Sequence, residues 1–207
     1  MKLTIASHKA VEYACLKFHY AKTVPIKLIA FNVYNDNNEW CGVIVYGSGA
    51  NAQISQPYDK WQGQVIELVR VALNGKQECT SKAVALSLKL LHKYCPMVDL
   101  VVSYADMDKE HYGTIYQATN FIYTGETTVG KKVAFIVNGK RMHNRSIQGK
   151  GWKDNLLWLR ENIDKQAKEF ITKGKRKYLY SFDKKLSKRI ELLKEEYPKL
   201  TNKKNMV

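Results

Sequence analysis

Apolar residues recur at three- and four-residue intervals near the start of the chain. Val11, Ala14, Cys15 and Phe18 fall on one side of a helix, and Ser7 stands where its first N–H groups need an acceptor. The pattern predicts a helix over 8–19 that ends at His19-Tyr20, before the break at Val24-Pro25. The runs IKLIAFNVY and WCGVIVYG are β-rich and flank the polar stretch 35–39, which reads as a hairpin. GSGANAQISQPYDKWQ follows as a loop, and QVIELVRVAL, 64–73, as a long strand closed by Asn74-Gly75. A polar loop runs through Thr80-Ser81, after which KAVALSLKLLHKYC puts Val84, Leu88, Leu91 and Cys95 on one helix face, with Pro96 closing it. VDLVVSYAD is the next strand, and a short helix and the strand KKVAFIVNG follow. Beyond a glycine-bearing link at 138–151, Trp152, Leu156, Leu159, Ile163 and Phe170 predict a further helix. KRKYLYSF reads as a late strand, and Leu186, Ile190, Leu193 and Tyr197 mark a terminal helix whose opposite face is basic.

Strands alternating with helices in this order predict an α/β domain with a mixed sheet. A smaller unit is expected to begin near residue 139, giving a main domain over 1–138 and a basic C-terminal extension over 139–207. The 207 residues suffice for one well-cored domain, and 45% apolar residues exclude wholesale disorder. Cysteines at 15, 41, 79 and 95 have neither zinc-finger nor CxxC spacing, so reduced thiols are expected. The N-terminus lacks the apolar core of a signal peptide and no run of eighteen apolar residues occurs, so the expected location is the cytoplasm.

Charge sharpens the picture because it is segregated. Residues 1–125 carry 12 Lys+Arg against 10 Asp+Glu, whereas residues 126–207 carry 22 against 9, so +13 of the net +15 lies in the last 82 residues. A field of that size attracts phosphate polyanions. The basic stretch lacks an amphipathic helix with bulky aromatics on its apolar face, so nucleic acid is favoured over a membrane surface. Lys173, Lys175, Arg176 and Lys177 are the candidate phosphate contacts, continued along the last helix by Lys184, Lys185, Lys188 and Arg189.

Candidate chemistry concentrates in SYADMDKEHYGTIYQATNFIYTG, 103–125, where an acid at a strand end precedes a dense set of tyrosines and amides. Asp106 stands where an open α/β sheet presents its strand ends to a ligand, and it can orient or deprotonate an amine there or simply cap a turn. Arg70 sits in so apolar a strand that its charge must meet an edge, a partner or an anionic ligand. Glu67, three residues away, belongs on the opposite face of a regular strand. Thr80 and Ser81 open the following helix and can offer N–H groups and hydroxyls to the same anion, or serve as caps. Tyr104, Tyr112 and Tyr123 are assigned to packing. His8, His92, His111 and His143 show no metal-ligand spacing, so none of them is assigned as a metal ligand.

Three segments, His19-Tyr20, GANAQISQPYDKWQGQVIELVRVAL and YADMDKEHYGTIYQATNFIYTG, resemble the phage Mom family of DNA adenine modification proteins, and RMHNRS, LLWLRENIDKQA and GKRKYLY extend the likeness from about Ser7 to about Tyr180. The resemblance implies a GCN5-related N-acetyltransferase-like mixed sheet flanked by helices, with the basic extension appended. In such folds the fourth and fifth strands, here 64–73 and 98–104, splay around a donor. It implies a transferase that places a two-carbon amide-bearing group, carbamoylmethyl or its glycyl isomer, on N6 of adenine in phage DNA and so protects it from restriction. It also implies catalytic roles for His19, Tyr20, Asp106 and Tyr116, with Tyr116 protonating a leaving group and His19-Tyr20 holding base or donor. Arg70, Thr80 and Ser81 would face the donor.

The acetyltransferase pyrophosphate motif is broken in VALNGKQECTSKA, which has one glycine. The donor therefore stays open between acetyl-CoA and an aminoacyl-tRNA such as glycyl-tRNA, and iron stays open as a metal. Double-stranded DNA is the expected partner, with tRNA as a second. Rival readings are an acetyl-CoA-dependent N-acetyltransferase of a protein or small amine, and a non-catalytic nucleic-acid-binding protein.

Overall fold

The computed structural model describes residues 1–49, 53–127, 133–142 and 144–199, and His143 lies outside them. Two compact units emerge: the first comprises Met1–Ala105, His111–Gly125 and Arg176–Val207, the second Asp106–Glu110 and Glu126–Lys175. The sequence-based division at 138/139 separates the chain differently, because the strand at 175–181 joins the main sheet.

Strands β1 (Lys2–Ile5), β2 (Ile29–Tyr34), β3 (Trp40–Gly47), β4 (Val65–Leu73), β5 (Leu100–Asp106), β6 (Ile122–Glu126) and β10 (Lys175–Ser181) form one sheet in the order β1-β2-β3-β4-β5-β10-β6. The first four pair antiparallel and β4 pairs with β5 in parallel, so the sheet is mixed. Period-2 alternation fills both faces. Val43, Val45 and Ala72 pack against Val11, Ala14 and Cys15 of α1 (His8–Lys17), while Phe31, Ile44, Ile66, Leu68 and Val101 pack against Val84, Leu88 and Leu91 of α2 (Thr80–Tyr94). Ser7 caps α1 as its position predicts, its hydroxyl accepting the Ala10 N–H at 3.2 Å.

Two features place the functional residues. The β3–β4 register slips by one between Val45↔Arg70 and Tyr46↔Leu68, which makes Val69 a bulge. Pairing of β4 with β5 covers only Val65↔Leu100 to Glu67↔Val102, beyond which the two strands fork. Ser103, fully buried, donates to the Leu68 carbonyl at 3.3 Å at the root of that fork. A buried carbonyl needs a donor, and the Ser103 hydroxyl supplies one here.

In the second unit, β7 (Val133–Val137), β8 (Lys140–Met142) and β9 (Lys168–Ile171) form a three-stranded sheet in the order β8-β7-β9. With α4 (Asn144–Gln148) and α5 (Leu156–Asn162) it buries Phe135, Val137, Ile147, Leu159 and Ala167. The long helix predicted through Phe170 is shorter than its apolar stripe. Asn155 starts α5 by accepting the Trp158 N–H at 3.1 Å, and Asp164 turns the chain by accepting Gln166 N–H at 2.9 Å and Asn138 N–H at 2.7 Å. Phe170 consequently lies in β9.

The terminal helix, α6 (Lys184–Glu191), buries Leu186 and Ile190 but ends before Leu193, which is exposed. Tyr197 reaches back by donating to the Phe121 carbonyl at 2.7 Å. Strands β1 and β6 have no counterpart in the sequence pattern. Among the described residues no helix is long and apolar enough to cross a membrane.

Candidate active site

The short helix α3 (Thr114–Gln117) brings Tyr116 to the fork. Gly113, at φ 70°, begins it in the left-handed region, and a Cβ there would meet the Tyr178 ring at 2.4 Å. That approach lets the Tyr178 hydroxyl bond the Tyr112 carbonyl and receive Gln117 Nε2 at 3.3 Å, which fixes both ends of the α3 turn. Tyr116, 9% exposed, pairs its hydroxyl with Ser103. Burial lifts its phenol above the ordinary tyrosine value; Glu67 and Tyr178 add to the lift, against Ser103 and Arg70. A phenol is protonated at neutral pH already at its ordinary value, and this environment holds its proton more tightly.

Glu67 is the residue the sequence misplaced. The bulge at Val69 consumes one residue, so Gly47↔Glu67 and Val45↔Arg70 face the same way. Both side chains stand on the α1 side of β4. Arg70 is held by two contacts: Nη1 donates to the Val69 carbonyl at 2.7 Å, and Nη2 to the Thr23 hydroxyl at 3.0 Å. It thereby clamps the bulge to the segment following α1. Its charge acts on Cys15, His19 and Tyr116.

His19 and Tyr20 follow the α1 C-cap Phe18 and lie ring against ring, centroids 4.4 Å apart. Tyr20 also meets His111 edge-on at 5.2 Å, which brings a histidine without ligand spacing into the cluster. His19 Nδ1 accepts the Ala21 N–H at 3.1 Å. Burial, then Arg70, His111 and Lys22, push its pKa down to about 4. The imidazole is therefore neutral at pH 7.

Asp106 is the last residue of β5 and lies in the second unit, where its Oδ1 accepts the Asp108 N–H at 3.0 Å and caps the turn 107–109. Thr80 and Ser81 open α2. Thr80 Oγ1 accepts from Gln77 Nε2 at 2.9 Å, and the Ser81 hydroxyl contacts the Cys79 thiol at 3.1 Å. The Ser81 hydroxyl and the Lys82 N–H hold the Cys79 thiol below its ordinary pKa. In the loop before them, the Gly75 N–H goes to Gln77 Oε1 at 3.1 Å and the Lys76 N–H to Asn74 Oδ1 at 2.9 Å.

The four basic candidates separate. Lys173 and Lys175 are exposed in the second unit. In the first, Arg176 donates to the His111 carbonyl at 2.8 Å and lies 4.6 Å over the Tyr112 ring, and Lys177 is half-buried 5.2 Å over the Tyr58 ring. Burial pulls the Lys177 pKa down. A shallow cavity of about 480 Å³ lies beyond α3, lined by Tyr112, Thr114, Gln117 and Lys194–Lys199, and includes none of His19, Arg70 or Tyr116. Among the described residues no three His, Cys, Asp or Glu side chains are grouped to hold a metal.

The sequence profile of the Mom protein family matches residues 2–199. The chain belongs to the Mom protein family. No curated protein matches by sequence. Among solved structures, this Mom-family chain is similar to a chimera of the Vibrio cholerae spermidine N-acetyltransferase SpeG with hSSAT, at 8% identity and a TM-score of 0.48 over 92% of this chain and 99% of the other. It is also similar to a Bacillus subtilis acetyltransferase in complex with CoA, at 10% identity and a TM-score of 0.46 over 88% and 99%. A Bacillus anthracis acetyltransferase of the GNAT family matches at 12% identity and a TM-score of 0.46 over 87% and 95%. The fold is a mixed α/β sheet with a bulge in β4 and a fork between β4 and β5.

Proposed function

We propose that this Mom-family protein is a transferase that loads a two-carbon amide-bearing group, carbamoylmethyl or its glycyl isomer, onto N6 of adenine in DNA. Family membership over residues 2–199 is the observation that carries the reading. The site chemistry supports it. The N6 amine is a poor nucleophile inside a base pair, so the base must leave the duplex and the amine must be activated. Tyr20, 47% exposed, offers a ring face to an extruded base. Asp106 takes the N6 proton, and the Tyr116 phenol, buried beside Ser103, gives one to the leaving group. Where the modification protects phage DNA, the lysines of the second unit and of α6 hold the duplex by its phosphates.

An acyl donor fits an acetyltransferase sheet, and glycyl and carbamoylmethyl adducts share one formula. Acetyl-CoA and an aminoacyl-tRNA such as glycyl-tRNA are the candidate donors. A pyrophosphate at the β4–α2 loop has to displace the Asn74 and Gln77 side chains from the Lys76 and Gly75 N–H groups. The first turn of α2, with Thr80 and Ser81, is the alternative anion seat.

The test is nucleoside analysis of DNA co-expressed with the protein. An adenosine heavier by the two-carbon amide group is expected, and fragment spectra separate glycyl from carbamoylmethyl. Unmodified adenine under conditions where the soluble protein binds DNA would overturn the assignment.

A further inference from the structure

His19 is placed by a turn that also decides which of its nitrogens carries the proton. After α1 the chain reverses: the Lys22 N–H closes on the His19 carbonyl at 3.2 Å, with Lys22 itself at φ 49°, and the Ala21 N–H points at His19 Nδ1, 3.1 Å away. A nitrogen that accepts an N–H presents a lone pair, so the proton of the neutral ring sits on Nε2. A second proton would have to displace the Ala21 N–H. The charged and titratable groups around the ring discourage it as well: Arg70 from β4, His111 from the segment after β5, and Lys22 from the same turn are all cations or potential cations. One ring face is covered by Tyr20. A neutral imidazole with Nδ1 engaged has one polar function left, the Nε2–H.

We propose that His19 acts as a neutral hydrogen-bond donor, giving its Nε2–H to the carbonyl oxygen of the transferred group as that oxygen gains negative charge. This rests on the transferase reading above. The N6 lone pair forms the new bond to the carbonyl carbon, and the C=O π pair moves onto oxygen, where the Nε2–H receives it beside the Arg70 charge. The pair returns as the bond to the leaving group breaks. The leaving group departs with its electrons and takes the Tyr116 proton, while the N6 proton passes to Asp106. A preorganised donor aimed at developing charge is the effective device here, and a neutral imidazole keeps the donor without offering a proton that could be lost. An alkylation would develop no such oxyanion, so the proposal commits the enzyme to acyl transfer.

Two measurements test it. Two-bond ¹H–¹⁵N spectra of the full-length labelled protein, with His19 identified by its loss in His19→Gln, should show Nδ1 bare and Nε2 protonated, unchanged from pH 8 to pH 5. A proton on Nδ1, or a titration midpoint between 6 and 7, would overturn the proposal. This arm reads the resting protein and holds whether or not DNA is the substrate. The second arm is adduct yield. His19→Gln, whose amide can place an N–H near the Nε2 position, should keep activity within roughly tenfold, whereas His19→Asn and His19→Ala lose on the order of 10²–10³-fold, as for removal of an oxyanion donor. Equal losses for Gln and Ala sink the donor role. An alkyl linkage in the wild-type product does so too, and absence of any adduct from wild type removes the transferase reading together with it.

Discussion

Glu67 and Arg70 project from the same face of β4 although three residues separate them, because the bulge at Val69 restores the phase that a regular strand would invert. This puts a carboxylate and a guanidinium on the α1 side of the fork, with opposite effects on the Tyr116 phenol. Arg70 is also the foremost charge acting on His19.

Removing Arg70 should therefore be read first at His19. Burial is the largest cause of the depressed His19 pKa and the Arg70 charge the next, so Arg70→Ala should raise it from about 4 part of the way to its ordinary 6.5, as followed by imidazole chemical shifts against pH. The same depressed value predicts how stability depends on pH. The unfolded chain takes a proton near pH 6.5 and the folded one only near 4, so His19 leaves stability flat above pH 6.5 and lowers it as pH falls through that window. His19→Gln should flatten this part of the pH–stability curve. An identical acid slope in wild type and variant would contradict it.

Tyr116→Phe removes the hydroxyl paired with Ser103, while Ser103 keeps its bond to the Leu68 carbonyl. The expected cost is about 1 kcal/mol in denaturant unfolding, typical of one hydrogen bond, against a 10²–10⁴-fold fall in transfer if the phenol is the acid. Glu67→Gln removes a charge that raises the Tyr116 pKa and should lower it, measurable by ultraviolet titration. A Tyr116→Phe variant with full adduct yield would remove Tyr116 from the mechanism.

Asp106→Asn separates two uses of one side chain. An asparagine oxygen still accepts the Asp108 N–H that Asp106 Oδ1 accepts at 3.0 Å, so the turn and the thermal midpoint should persist. Adduct formation should nonetheless fall by 10²–10⁴-fold, the ordinary worth of a general base. Full activity would leave Asp106 as a cap alone.

Much of the main sheet was legible in the sequence because its strands are buried on both faces and read as continuous apolar runs. Strand β1 was not, since KLTI is short and half-exposed at the sheet edge, and β6, IYTGE, is interrupted by a glycine and polar residues. The Glu67–Arg70 relationship was invisible because no residue type marks the bulge: Val69 is the kind of residue a regular strand would hold there. Phe170 kept helical spacing with Ile163, yet the Asp164 turn between them is stabilised by contacts with Asn138, 26 residues away, which periodicity does not report. His111 joined the site through Tyr20, a contact between segments 91 residues apart.

Pattern and structure also diverge at the basic residues proposed to contact phosphates. Lys175, Arg176 and Lys177 form a uniform basic run in sequence, but β10 splits them by face. Arg176 is spent on the His111 carbonyl and the Tyr112 ring, and Lys177 is half-buried over Tyr58. Neutralising these two should first disturb the segment that carries His111 and Tyr112, lowering thermal stability and adduct yield together. On α6 the picture differs: Lys184, Lys185 and Lys188 are exposed, whereas Arg189 is paired with Asp59 at 2.9 Å, and Leu186 and Ile190 anchor the helix on the domain. Such a helix can track phosphates without loss of folding. Replacing Lys184, Lys185 and Lys188 with Gln should weaken binding to all duplexes alike and flatten the log–log salt dependence by roughly 2 to 3, at about 0.9 per phosphate contact, with the melting midpoint unchanged. Arg189→Gln alone should change that slope little. An unchanged slope in the triple variant, or a changed preference among target sequences, would assign phosphate contact elsewhere and make α6 a reader of sequence.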